Sequence, residues 1–162
     1  MSEKEYNLYD AIELNIIEQI HKYKPEITVT DAAVRGDWPD YPFIVYDLVD
    51  DYEKTTFADN ENENFLIRVQ LKVVSDNNNE AKSLGLWLRK LFFLRQPKYD
   101  LAKLGMAAVS SQPVPPVEKY LEVAWQFSSG VLYTFMVQDG FVDDTQPGTL
   151  LDVNPTYTIK GE

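Results

Sequence analysis

Histidine-based acid–base chemistry in this chain would have to run through His21, the only histidine among 162 residues. It falls near the end of a helical pattern, where a cation offsets the helix dipole. A Ser-His-Asp arrangement would need His21 as its base, and no Gly-x-Ser-x-Gly elbow supplies a nucleophile for it. With no second histidine and no cysteine, a zinc site lacks its ligands. The absence of cysteine also excludes disulfides and thiol chemistry. The residue types therefore point away from an enzyme and call for no cofactor and no metal.

Carboxylates are the one chemically capable group in excess. Asp59-Asn60-Glu61-Asn62-Glu63 alternates oxygen donors as the start of a calcium loop does. Asn64 occupies the place of the turn glycine, and Gln70 stands where the closing glutamate belongs. Asp76-Asn77-Asn78-Asn79-Glu80 fails in the same way, with Trp87 in the closing place. A glycosidase-like pair would need two carboxylates converging in a cleft, and no spacing here predicts one. The seven glycines form neither a phosphate loop nor a dinucleotide fingerprint.

Charge is unevenly distributed. The net formal charge is −11, which argues against broad binding to a phosphate backbone. Residues 37–64 hold nine acidic residues against Lys54, and residues 65–105 hold eight Lys/Arg against three acids. Opposed patches of this kind steer like subunits together, although an ordinary scatter of solvated charges gives the same count. The basic set includes Arg68 and Lys72 on a predicted strand, with Lys82, Arg89 and Lys90 on the helix after it. The acidic set includes Asp50, Asp51, Glu53, Asp59, Glu61 and Glu63. Trp38 lies in a Gly/Pro turn, which makes it the candidate exposed contact aromatic. These twelve residues are the candidate subunit-interface or lumen positions.

The elements that must hold them are legible from periodicity. Phe65, Ile67, Val69, Leu71 and Val73 alternate with Leu66, Arg68, Gln70, Lys72 and Val74, which predicts a strand with one buried face and one wettable, basic face. Ser2 and Glu5 have capping-box spacing, and Leu8, Ile12, Ile16 and Ile20 predict a helix that Pro25 stops near Tyr23. A short strand is expected within Glu26–Val34 and another over Phe43–Val49. The acidic segment Asp50–Asn64 is expected as a loop or an extended hairpin tip, its charge density opposing burial. Asn77 and Glu80 cap a second helix reaching about Leu94, with Gly85 inside it; Pro97 is expected to end it, with a short turn over Tyr99–Leu104. Met106–Ser110 reads as a strand and Gln112–Pro116 as an extended connector whose prolines bar it from a central strand. Leu121–Phe127 and Val131–Gln138 read as a hairpin turning at Ser128-Ser129-Gly130. Length fits one domain over residues 1–140, followed by a polar C-terminal arm over residues 141–162. The first residues lack the pattern of a signal peptide, and no apolar run has the length of a membrane span.

The run Trp-Pro-Asp-Tyr-Pro-Phe-Ile-Val-Tyr (Trp38–Tyr46), the strand Phe65–Ser75 and the helix Asn79–Leu91 resemble the neck or tail terminator proteins of long-tailed bacteriophages of Gram-positive hosts. The likeness spans roughly residues 8–138. It implies an α+β fold in which two main helices pack on one face of a mixed or antiparallel sheet, in the order α-β-β-β-α-β-β-β. It implies a non-enzymatic virion protein of the head–tail junction, assembled in the host cytoplasm, with six copies forming a ring. Its partners would be itself, the major tail tube protein and the head–tail connector proteins, with no specific nucleic-acid binding and no membrane. An acidic lumen would repel passing DNA. In this arrangement the basic helix-two and strand-three surface would meet the acidic loop of the next subunit. The alternatives are another phage head-completion or tail-assembly factor, or a non-enzymatic protein-binding module.

Overall fold

The computed structural model describes residues 7–33, 36–57, 60–121 and 124–142. Three helices and five strands follow in the order α1 (Leu8–Tyr23), β1 (Thr28–Asp31), β2 (Phe43–Lys54), β3 (Asn64–Ser75), α2 (Asn78–Leu91), α3 (Arg95–Lys103), β4 (Met106–Leu121) and β5 (Ala124–Gln138). The strands form one sheet in the order β1-β2-β3-β5-β4. β1 runs parallel to β2 and every other pair is antiparallel, so the sheet is mixed. The class is α+β, as expected.

The alternation of β3 sets the layering. Phe65, Ile67, Val69, Leu71 and Val73 are buried, and they join Ile44 and Tyr46 of β2 and Val131, Tyr133, Phe135 and Val137 of β5 in one core. Ile12, Ile16 and Ile20 of α1 and Leu88 and Leu91 of α2 close over this face. Phe92, just past α2, meets Tyr133 and Phe135 edge-on at 5.1 and 5.3 Å, a favoured aromatic geometry. The Tyr133 hydroxyl donates to the Leu88 carbonyl, so the polar end of that buried ring is satisfied. The opposite face of the sheet carries no helix of its own among the described residues.

Caps follow the local chemistry. The Asn7 side chain accepts from the N–H groups of Tyr9 and Asp10 and starts α1; Ser2 lies outside the described residues. Asn77 does the same for α2 through Asn79 and Glu80, as expected.

Several details depart from the sequence reading. Pro97 does not simply end α2. It occupies the first turn of the separate helix α3, where its missing N–H would have had no intrahelical partner. The prolines 113, 115 and 116 lie within β4, which is an edge strand, and a register shift between Val114 and Val117 absorbs them. Ser128-Ser129-Gly130 is not a turn. It sits inside β5, with Val74, Val73 and Lys72 of β3 as its partners, and the β4–β5 chain reversal comes after Leu121. Packing explains this placement: a Cβ at Gly130 would lie 2.7 Å from the Leu71 carbonyl oxygen. Small residues here mark a close approach and not a reversal. β2 continues through Lys54, so Asp50, Asp51 and Glu53 belong to a strand and not to a loop.

Candidate interaction surfaces

The residues that might have done chemistry are used by the fold. His21 Nε2 lies 3.0 Å from the Ile27 carbonyl, to which it donates, so the imidazole clips α1 to the segment leading into β1. Asn77 and Glu80 are taken by the α2 cap, where Glu80 also accepts from the Ser75 hydroxyl. Glu63 is buried, and both of its carboxylate oxygens lie 2.9 Å from the Tyr52 hydroxyl. Its N–H donates to Asp139 at 3.0 Å, and its carbonyl accepts from the Asp139 N–H at 3.1 Å. The Asn62 N–H donates to the Phe141 carbonyl at 2.9 Å, which extends this clasp past residue 140. Glu63 therefore ties the end of β5 to the start of β3 and is not part of a solvated acidic face. Among the described residues, no group of three or more His, Cys, Asp or Glu side chains is placed to hold a metal ion.

The basic candidates divide between two sides of the sheet. Arg68 and Lys72 project from the face that the helices leave open, because they alternate with the buried set of β3. Lys82, Arg89 and Lys90 ride on α2 over the other face. Strand three and helix two therefore do not form one basic lateral surface; period-2 alternation and the helix position separate them. Arg68 is already engaged within its own chain. Its Nε lies 2.6 Å from Asp50 Oδ2, and its Nη2 lies 3.7 Å from Glu53 Oε2. All three side chains are about half exposed, so this network is worth on the order of 1 kcal/mol or less. Arg89 Nε points to the Gly130 carbonyl at 3.4 Å. Lys82, Lys90, Asp51 and Glu61 are exposed. Asp59 lies outside the described residues.

Trp38 is 61% exposed and stacks on Phe43 at 5.4 Å, and Tyr41 flanks the same ring at 5.7 Å. The Tyr41–Pro42 peptide is cis. Gln126 of β5 donates to the Tyr41 hydroxyl at 3.2 Å. Between these elements a groove of about 150 Å³ opens onto Val45, Lys72 and Val74 on the open face of the sheet. The sequence-predicted contact aromatic and one of the predicted basic residues therefore share a site.

Two features escaped the sequence reading. Phe57, on the loop after β2, is fully exposed. A lone phenylalanine in an acidic, Asn-rich run was the available signal. The second is the outer face of α3, where Arg95, Gln96, Lys98, Tyr99 and Ala102 form an exposed basic and aromatic surface. The i, i+3, i+4, i+7 spacing of Arg95, Lys98, Tyr99 and Ala102 was the available signal there.

No protein-family profile matches this chain, and no curated protein matches it. Among solved structures, it is similar to a chain of the virion of a native gene transfer agent particle. The two are 14% identical, with a TM-score of 0.39, and the match covers 83% of this chain and 99% of the other.

Proposed function

We propose that this chain is a structural virion protein of the head–tail junction, a tail terminator. It caps the completed tail tube as a ring and provides the platform for the head connector. The observation that carries this reading is a one-sided layer with its apolar contact residues at the margins. Helices cover one sheet face, while Trp38 stands exposed at the other face, Phe57 on the loop after β2, Tyr99 on the outer helix and Trp125 near the start of β5. Exposed aromatics of this number favour contact with other proteins.

The use of His21, Glu63 and Glu80 in caps and clasps supports a non-enzymatic role. The resemblance of Trp38–Tyr46 and Phe65–Leu91 to terminator proteins supports the tail position. The edge-strand β4 hairpin, which extends past the end of β3, gives such a subunit a projecting element. The partners under this reading are further copies of the chain, the tail tube protein and the connector.

Light scattering across a concentration series, with negative-stain imaging of the same sample, tests assembly. A closed ring with a central hole is the expected result. If the protein stays monomeric, an assay in which it is added to purified tail tubes decides. Tubes left uncapped and free to elongate would overturn the terminator reading.

A further inference from the structure

The groove beside Trp38 is built from four separate segments. Phe43 and Val45 of β2, Lys72 and Val74 of β3 and Gln126 of β5 line it, and Trp38 closes it from the turn before β2. Strand alternation places Phe43, Val45, Lys72 and Val74 on the one sheet face that the helices leave open. The walls are held in place. Phe43 and Val74 are register partners and both are buried. Trp38 and Tyr41 stack on Phe43, and the Tyr41 hydroxyl accepts from Gln126 at 3.2 Å. Across from Lys72 in β5 stands Gly130, which sends no side chain over it.

Lys72 is the charge that this groove leaves without a complement. Arg68, on the same face, is already paired with Asp50 and Glu53. Among the described residues, Lys72 has no ion-pair partner, and it is only partly exposed. An ammonium set against apolar walls favours an anion that brings an apolar body with it. The net charge of −11 favours a single carboxylate over a doubly charged phosphate. The volume of about 150 Å³ accepts one side chain and falls below the roughly 300–1,000 Å³ of small-molecule pockets. The exposed rings of Trp38 and Tyr41 at the rim are of the types that anchor protein contacts. We propose that the groove docks an extended acidic segment of a partner protein. One aliphatic side chain seats against Trp38 and Val45, and a carboxylate two residues along, on the same side of the extended segment, pairs with Lys72. This contact does not depend on the tail-terminator reading, which the tube-capping assay tests separately.

The chain has three tryptophans, so fluorotryptophan labelling gives three fluorine resonances, assigned through Trp→Phe variants. The probe is acetyl-Leu-Thr-Asp-amide, with acetyl-Leu-Thr-Asn-amide as its uncharged counterpart. The expected result is a saturable shift of the Trp38 resonance with the Asp peptide, while the Trp87 resonance on α2 stays in place. The Asn peptide should bind several-fold more weakly. Lys72→Met should remove the preference between the peptides and Lys72→Arg should keep it, with an unchanged Trp87 resonance reporting an intact fold in each variant. A Trp38 resonance that does not move with the Asp peptide overturns the docking site. Equal binding of the two peptides, or a preference that survives Lys72→Met, overturns the pairing of Lys72 with a carboxylate. Isocaproate, which has a leucine-like body and a carboxylate but no peptide, separates the two sources of this chemistry. Binding as tight as that of the Asp peptide would make the groove a small-acid site and overturn the partner-protein proposal.

Discussion

Gly85 of α2 lies directly against Ser129 of β5: a Cβ at position 85 would stand 2.3 Å from the Ser129 Oγ and 2.8 Å from its Cβ. In an exposed helix interior, replacing glycine by alanine gains about 1 kcal/mol. Here the added methyl has no room, because the helix backbone rests on the strand. Gly85→Ala is expected to destabilise the fold by about 1–3 kcal/mol, as overpacking does. Urea denaturation of Gly85→Ala, Ser129→Gly and the double variant checks this. The double variant should recover part of the loss. A Gly85→Ala protein as stable as the parent would show that the helix can lift off the sheet freely.

The Glu63 clasp gives a second expectation. Glu63 is buried and its carboxylate depends on the Tyr52 hydroxyl. Tyr52→Phe removes the hydrogen bond that this carboxylate accepts and is expected to loosen the clasp. Hydrogen exchange should show the added opening concentrated at Asn62–Asn64 and Gln138–Phe141. Protection unchanged at both ends would mean that the backbone bonds to Asp139 and Phe141 hold the clasp by themselves.

Alkaline pH should weaken the fold through its buried phenols. Burial pushes the pKa of Tyr133 and of Tyr46 well above the ordinary tyrosine value. A folded-state pKa above the unfolded one means that the folded chain holds its proton more tightly. The stabilisation is complete below about pH 10 and is lost progressively as pH rises above it. Thermal melts from pH 8 upward should therefore fall beyond pH 10. Tyr46→Phe should flatten that fall relative to the parent, and an identical profile would remove Tyr46 as a contributor.

The α2 cap offers a smaller, local effect. Asn77→Ala removes the acceptor for the Asn79 and Glu80 N–H groups, at 3.0 and 3.2 Å, and is expected to destabilise by about 1 kcal/mol. Asn77→Asp should retain most of the stability, since its carboxylate accepts the same bonds at the positive end of the helix. Chemical denaturation of the two variants separates capping from a general loss of polarity.

Arg68 and Asp50 provide a charge test that is internal to one chain. A double-mutant cycle of Arg68→Ala and Asp50→Ala should give a coupling of about 1 kcal/mol or less, because both groups are about half exposed. The coupling should shrink with added salt. A coupling well above 2 kcal/mol would mean that the pair is sequestered from water in solution, as an assembled interface on the open sheet face would make it.

Local pattern was enough for much of this molecule. The alternation in Phe65–Val73 determined which residues enter the core, because side chains on a strand have no other choice of face; on the opposite face Arg68 stays exposed, while Val74, read as wettable, is buried beside its register partner Phe43. The repeat of Ile12, Ile16 and Ile20 determined the buried stripe of α1, and Asn77 determined where α2 begins. The scarcity of His21-like chemistry, with no cysteine at all, was likewise a property of composition. Only the tertiary structure decided what lies across from what. Ser128-Ser129-Gly130 has the composition of a turn, yet the passage of β3 and α2 on either side requires small residues within a strand. Glu63 reads as one more solvated acid until Tyr52 and Asp139 close around it. Arg68 and Lys82 belong to one basic run in sequence, but the sheet stands between them, since strand alternation sends Arg68 outward while α2 folds back over the opposite face. Such relationships depend on strand register and helix placement, which arise from contacts between residues distant in sequence and leave no local periodicity to read.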